Sequence, residues 1–329
     1  SLTIPAGQTV QLTSSGGNLP FTATAASPGN FLSVTPATGT TPGPLSIGLN
    51  QAAVNTLTPG NYTGTVTLSS PNLPSQVITV NLVVAPAAPP SIASIVNSAS
   101  SQAGAVSPGE IVTIFGANIG PATAAGLVLT PQGTVSTNLA NTVVTFDGVA
   151  APLIFVSAGQ INAIVPYEIA GRVSTNVVVQ RNGVSSTQLQ ARVVDAAPAI
   201  FSLSQGGNGQ GAILNSDGSV NSVSNPATKG SVIVIYATGE GVTRPQPPTG
   251  SVTSATGTSF PAPVANVSLK IGGVPVTSYP YIGEAPGLVA GVLQINAVVP
   301  QGIGSGPQTV ELTIGGVSNS QQIITVAVQ

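Results

Sequence analysis

Glycine or proline interrupts this chain every few residues: 39 glycines and 29 prolines are spread through 329 positions. A helix interior tolerates neither residue well, and the helix formers Glu, Lys, Arg and Met are nearly missing. Between the interruptions stand short runs rich in Val, Ile and Thr. Such runs, bounded by Gly, Pro, Asn and Ser, read as strands and turns. "YTGTVTLSS" shows the alternation: Tyr62, Val66 and Leu68 fall on an inward face, and Thr63, Thr65 and Thr67 on an outward one. In "QVITVNLVV", Ile78, Val80, Leu82 and Val84 share one face. The expected fold class is all-β, as three tandem immunoglobulin-like β-sandwich domains.

Two breaks divide the chain. "APAAPP" at 85–90 reads as a stiff linker, and "DAAPAIF" at 195–201 follows another strand-rich stretch. The expected domains are 1–86, 91–196 and 197–329. The last two read as copies. "PGEIVTIFGANIGP" (108–121) aligns with "KGSVIVIYATGEGV" (229–242), and "VTFDGVAAP" (144–152) with "LKIGGVPVT" (269–277). "GQINAIVP" (159–166) aligns with "LQINAVVP" (293–300), and "RNGVSS" (181–186) with "IGGVSN" (314–319). Four matched segments in one order make a duplication. The second copy is expected to carry an inserted loop, "YPYIGEAPGLVAG" (279–291), that the first does not share.

These motifs resemble known families. The order "PGEIVTIFGANIGP", "FDGVAAP", "INAIVP", "NGVSS" resembles the IPT/TIG immunoglobulin-like domain, whose G-x-N-x-G turn falls here on Gly116, Asn118 and Gly120. Residues from about 91 to 329 resemble a Solibacter-type C-terminal domain of large secreted acidobacterial proteins, through "SAGQINAIVPYEIAGR", "GQGAILNSDGSVNSVSNPA", "YATGEGV" and "APGLVAGVLQINAVVP". The first stretch resembles a BACON-type sandwich, through "FLSVTPATGTTPGPLSIGLN", "LTPGNYTGTVTLSS" and "SQVITVNLVV". The BACON resemblance implies carbohydrate binding or a spacer role.

Charge excludes several functions. Asp, Glu, Lys and Arg make up 4% of the chain, against about 25% in ordinary soluble domains. None occurs before Glu110, and Arg172, Arg181, Arg192, Arg244, Lys229 and Lys270 are scattered singly. Nucleic acid needs concentrated Lys and Arg, and anionic membranes do likewise, so neither is an expected partner. The apolar stretch 77–96 is broken by Asn81, Pro86, Pro89 and Pro90, so no membrane insertion is expected. With no Cys or His, no zinc, copper or haem site and no cofactor is expected. The absent initiator Met reads as a processed chain or a fragment whose signal peptide is gone. The expected setting is extracellular or cell-surface.

Catalysis lacks its usual parts. No His is present to serve as base for Ser or Thr, and Lys229 reads as a solvated turn residue. The acids are Glu110, Asp147, Glu168, Asp195, Asp217, Glu240, Glu284 and Glu311. A glycosidase needs two of them at a set separation, one with a raised pKa. Glu168 and Glu284 sit beside the two QINA strands but on opposite sides of them, so the expected reading is solvated loop carboxylates and no enzyme. "NSDGSVNS" (215–222) lacks the bidentate Glu of a calcium loop, and Asp217-Gly218 reads better as a hairpin turn.

Ligand candidates are few. Tyr167, Tyr279 and Tyr281 stand in loop-like surroundings and are the candidates for a carbohydrate platform, against a packed or capping role. In the repeated kernel, Ile161, Ala163 and Val165 share one face, as do Ile295, Ala297 and Val299. Gln160 and Asn162, and Gln294 and Asn296, take the other face, where the expected role is structural: satisfying backbone groups that an irregular ladder leaves unpaired.

Edge strands usually carry charges that block pairing between chains. The first stretch has none. The expected function is therefore a secreted structural or adhesive surface protein, self-associating as a homopolymer in a filament or array through strand contacts. The alternative is a carbohydrate-binding accessory module of a larger secreted protein, with glycans or a cell surface as partner. Without His, little is expected to titrate between about pH 5 and 8, so stability is expected to vary weakly there.

Overall fold

The computed structural model describes residues 4–86, 88–257 and 259–329. Residues 1–3 of the expected first domain and residue 87 of the expected linker lie outside the described residues. The chain is all-β and forms two compact units, Ser1–Ala88 and Pro89–Gln329. Among the described residues, no helix is long and apolar enough to cross a membrane.

The first unit is a sandwich of seven strands: β1 (Gln8–Leu12), β2 (Pro20–Ala26), β3 (Leu32–Thr35), β4 (Thr38–Thr40), β5 (Gly43–Leu49), β6 (Gly60–Ser69) and β7 (Gln76–Val84). One sheet has the order β1-β5-β3 and the other β4-β2-β6-β7. Phe31, Leu45 and Val66 are fully buried between them. Tyr62 and Leu68 of β6, and Ile78, Val80 and Leu82 of β7, pack against this core as the alternation predicts. That core is open on one side. Val10, Ile47, Leu49, Ile78, Val80 and Leu82 line a cleft of about 370 Å³ between the β1 and β7 edges, and all six are only half-buried.

The second unit holds two sandwiches. The first comprises β8 (Ser91–Asn97), β9 (Ile111–Ala117), β10 (Ala125–Gly126), β11 (Thr142–Phe146), β12 (Val149–Ala150), β13 (Leu153–Val156), β14 (Gln160–Ile164), β15 (Ser174–Arg181), β16 (Val184–Ser185) and β17 (Leu189–Arg192). Its sheets run β10-β13-β14-β9-β8 and β12-β11-β15-β16, with β17 also on β15.

The other sandwich comprises β18 (Ala199–Ile200), β19 (Gly209–Gln210), β20 (Ile213–Leu214), β21 (Val232–Thr238), β22 (Thr243–Arg244), β23 (Ala262–Pro263), β24 (Val267–Ile271), β25 (Val274–Pro275), β26 (Tyr281–Glu284), β27 (Leu293–Val298), β28 (Gly306–Ile314), β29 (Val317–Ser318) and β30 (Ile324–Val328). Its sheets run β18-β21-β27-β26 and β19-β30-β28-β24-β25, while β22 and β23 form a separate ribbon. Each sandwich of this unit has its own core. Val144, Phe146, Ile161 and Val177 are fully buried in one, and Ile235, Ile271, Ile295 and Leu312 in the other.

The duplication is visible in the turns. Asp147 and Gly148 join β11 to β12 with φ of 48° and 84°, and Gly272 and Gly273 join β24 to β25 with 56° and 77°. Positive φ at both central residues is the type I′ hairpin, whose twist matches that of the strands. Asn182-Gly183 and Gly315-Gly316 repeat the same solution after β15 and β28. The inserted loop is shorter than expected. Residues 281–284 form β26, which pairs with β27 as β13 pairs with β14, so only the stretch after Glu284 lacks a counterpart.

Candidate functional site

The kernel strands β14 and β27 occupy the same place in their sheets, each between two antiparallel neighbours. Ile161, Ala163, Ile295 and Ala297 face inward and are fully buried. Gln160, Asn162, Gln294 and Asn296 lie half-buried on the outer face. In both copies the glutamine Nε2 donates to the asparagine Oδ1 at 2.9 Å. The amides thus bond each other, not the unpaired backbone groups expected as their partners. In the first copy the pair lines a cleft of about 570 Å³ together with Thr113, Phe115, Phe201 and Gln205.

Three carboxyl groups lie elsewhere than the sequence led us to expect. Glu110, Glu240 and Glu284 are not solvated: their exposures are 0%, 1% and 0%. The reason is the meeting of the two sandwiches of this unit, which no local pattern encodes. Glu110 immediately precedes β9, Glu240 follows β21 and Glu284 ends β26. Across this seam Ile111 N donates to Thr238 Oγ1 at 2.9 Å, and that hydroxyl donates to Gly291 O at 2.7 Å. Gly291 N donates to Glu284 Oε2 at 2.8 Å, and Tyr167 Oη to Glu284 Oε1 at 2.9 Å. Glu110 Oε2 accepts from Ser107 N at 2.7 Å. Its Oε1 and both oxygens of Glu240 accept no hydrogen bond among the described residues.

Burial of a carboxyl group disfavours its charged form. Burial pushes Glu110 up to about 8, against the hydrogen bonds from Ser107. Glu240 is raised by burial and by the neighbouring Glu284 charge. Glu284 is pushed up to about 7 by burial, although Gly291 N and Tyr167 Oη favour its anion. The neighbouring Glu284 charge opposes ionisation of Glu240, so of the two Glu240 is the one that keeps its proton. The ion pairs among the described residues lie elsewhere, Arg172–Asp147 at 2.9 Å and Lys270–Glu311 at 3.4 Å.

A raised carboxyl group could act as a general acid only where substrate can reach it. Here the backbone closes in. A Cβ on Gly239 would run into Ala197 O, one on Gly241 into Asp195 O and one on Gly291 into Gly109 O. Among the described residues, no group of three or more carboxylates is arranged to hold a metal ion. At 215–222, Gly218 N donates to Asn215 O at 2.9 Å and Leu214 bridges Val220, which closes a turn.

The structure separates the three tyrosines. Tyr167 is 1% exposed, its ring against Gly109, and is no surface platform. Its loop-like sequence hides a 3₁₀ turn (Tyr167–Ile169) docked at the seam. Burial and the Glu284 charge raise its hydroxyl. Tyr279 packs on the core and its Oη accepts from Leu269 N at 2.8 Å. Tyr281 does not sit in a loop but opens β26; it is half-buried, edge-on to Phe260 at 5.7 Å.

Residues 90–193 match the IPT/TIG domain family, so an IPT/TIG domain spans β8 to β17. No curated protein matches the chain. Among solved structures the chain is similar to SGBP-B of the Bacteroides ovatus mixed-linkage glucan utilization locus, solved with a mixed-linkage heptasaccharide. The identity is 14% over 98% of this chain and 64% of that one, with a TM-score of 0.30. It is also similar to a 1.5-MDa bacterial ice-binding adhesin, at 12% identity over 95% and 91% of the two chains, TM-score 0.23. For the protocadherin gammaB7 EC3-6 structure the figures are 15%, 99% and 70%, TM-score 0.19.

Proposed function

We propose that this is a non-enzymatic, extracellular structural or adhesive protein that associates with further copies through the open edge of its first sandwich. One observation carries the reading. β7 is a nine-residue edge strand with no charge and no proline, paired among the described residues only with β6. Val77 and Val83 on its outer face are 58% and 71% exposed. Natural edges of this length are normally blunted by Lys, Pro or a bulge, because free N–H and C=O groups recruit another strand. Beside β7 lies the apolar cleft toward β1, where an added strand would find Ile78, Val80 and Leu82 to cover. Strand addition takes its affinity from main-chain hydrogen bonds and its specificity from such pockets. The resemblance of residues 1–86 to BACON-type sandwiches, and of 91–329 to the Solibacter-type secreted domain, supports the extracellular setting.

Light scattering over a concentration series, with electron microscopy of the same samples, tests the proposal. The chain should form ordered polymers, and Val83→Lys should leave it folded and monomeric. A chain that stays monomeric at high concentration, or polymers indifferent to Val83→Lys, would overturn it.

A further inference from the structure

Directly opposed residues of antiparallel strands share a sheet face, and in the second unit this places the repeated amides among aromatic rings. Gln160 stands opposite Phe115 of β9, and Asn162 opposite Phe155 of β13. In the other sandwich Gln294 stands opposite Tyr236 of β21, and Asn296 opposite Tyr281 of β26. Both copies therefore carry one diagonal: aromatic, glutamine, asparagine, aromatic.

The remaining neighbours are not kept. Asn162 faces Thr113 on its second side, where Asn296 faces Val234. Phenylalanine in one copy is tyrosine in the other, so ring character persists while the residue changes. None of the eight side chains is buried, and Phe115 is 40% exposed. The core on the inner face does not use them.

The chemistry of the diagonal is specific. The Gln–Asn bond leaves a glutamine Oε1 acceptor and an asparagine Nδ2 donor with no other partner among the described residues. A hydroxyl group both donates and accepts, and matches that pair. The flanking ring faces offer flat apolar area for the C–H faces of a sugar. No residue of either diagonal, nor of the cleft beside the first, is charged. A charged ligand would lose its hydration there with no counter-charge in return.

We propose that the two kernels are a duplicated binding site for a neutral polysaccharide, one platform per sandwich. The site does not depend on assembly through β7, so it is tested in the Val83→Lys background, which removes avidity between copies. Isothermal titration calorimetry at pH 6 would use hydroxyethylcellulose, xyloglucan, galactomannan and soluble starch, with polygalacturonate as the charged control.

At least one neutral polymer should bind, and polygalacturonate should not. Gln160→Ala with Asn162→Ala, or Gln294→Ala with Asn296→Ala, should weaken polymer binding about tenfold or more, because two linked sites give way to one. All four together should abolish it with the melting temperature little changed. No heat with any neutral polymer, equal binding of polygalacturonate, or full binding by the fourfold variant would overturn the proposal. A readout free of variants is the side-chain NH₂ signals of Asn162 and Asn296 in ¹⁵N-labelled protein. They should shift on adding the polymer that binds, and unmoved signals would overturn the site.

Discussion

Tyr167 and Glu284, 117 positions apart in the chain, meet at 2.9 Å across the two sandwiches of the second unit, the phenol donating to the carboxylate. Both groups are buried, so the bond is made where water cannot replace it. Tyr167→Phe deletes the donor and leaves Glu284 Oε1 without it, which costs about 1–3 kcal/mol. In a domain of this size that is a fall in melting temperature of about 2–4 °C per kcal/mol. Calorimetry on the variant checks it, and Tyr167→Phe with Glu284→Gln should lose less than the two single losses combined.

The three buried acids make stability fall as pH rises. Folded values of about 8 for Glu110 and about 7 for Glu284, with Glu240 raised as well, lie above those of an unfolded chain. The folded state therefore binds more protons, and stability has a negative slope against pH. Their contribution is fully present below about pH 4.5 and is lost as pH climbs through 7 and 8. The loss is on the order of a few kcal/mol across the window. This corrects the expectation of weak variation between about pH 5 and 8, which held only while the acids were taken as solvated. The other titratable groups at the seam, Tyr167 and Tyr281, are both raised, Tyr281 to about 12, and do not ionise in this range. Urea unfolding from pH 4 to 9 should show the slope, and Glu110→Gln should flatten its upper part.

Gly291 has φ of +106° and its Cα hydrogen faces the Gly109 carbonyl. Alanine there meets both a backbone conformation that side chains rarely adopt and a backbone atom that cannot swing away. Gly291→Ala should destabilise the second unit by more than about 3 kcal/mol. Gly302→Ala, with nothing near its Cβ and φ outside the left-handed region, is the control and should be nearly silent. Paired denaturation curves decide between them.

The sequence announced what repeats and hid what meets. Inward alternation placed Val66, Ile161 and Ile295 correctly, because a two-residue period is a local property of a strand. The copied segments were legible for the same reason, and their turns, Asp147-Gly148 and Gly272-Gly273, hold the type I′ geometry in two residues each. Glu110, Glu240 and Glu284 were visible only as three of eight scattered acids, since their burial comes from contacts between segments that are not neighbours in the chain. A clue lay in the neighbouring glycines: Gly239 and Gly241 pack against backbone carbonyls, and Gly109 makes room for the Tyr167 ring. Tyr281 was misplaced because Pro280 and Gly283 disguise a strand that pairs with β27. The diagonal of rings and amides needs strand register, which no single strand contains.

Gln322 shows how such contacts hold the second unit together. Its Nε2 lies within reach of Ala99 O at 3.0 Å, Gly207 O at 3.0 Å and Ile200 O at 3.1 Å, so two amide hydrogens are shared among three carbonyls, while its Oε1 accepts from Ile200 N at 2.9 Å. Ala99 belongs to the first sandwich of the unit and the other partners to the second, so one buried amide bridges both. Gln322→Leu keeps much of the volume and strips every bond, leaving buried carbonyls unpaired at a cost of about 1–3 kcal/mol. Gln322→Glu keeps the shape and turns an acceptor oxygen toward the same carbonyls, so it is tolerated only in its protonated form. Its loss of stability should grow as pH rises from 5 to 8 by more than that of Gln322→Leu. Denaturation of both variants at the two ends of that range checks the difference, and parallel curves would mean that the amide hydrogens are not what bind the bridge.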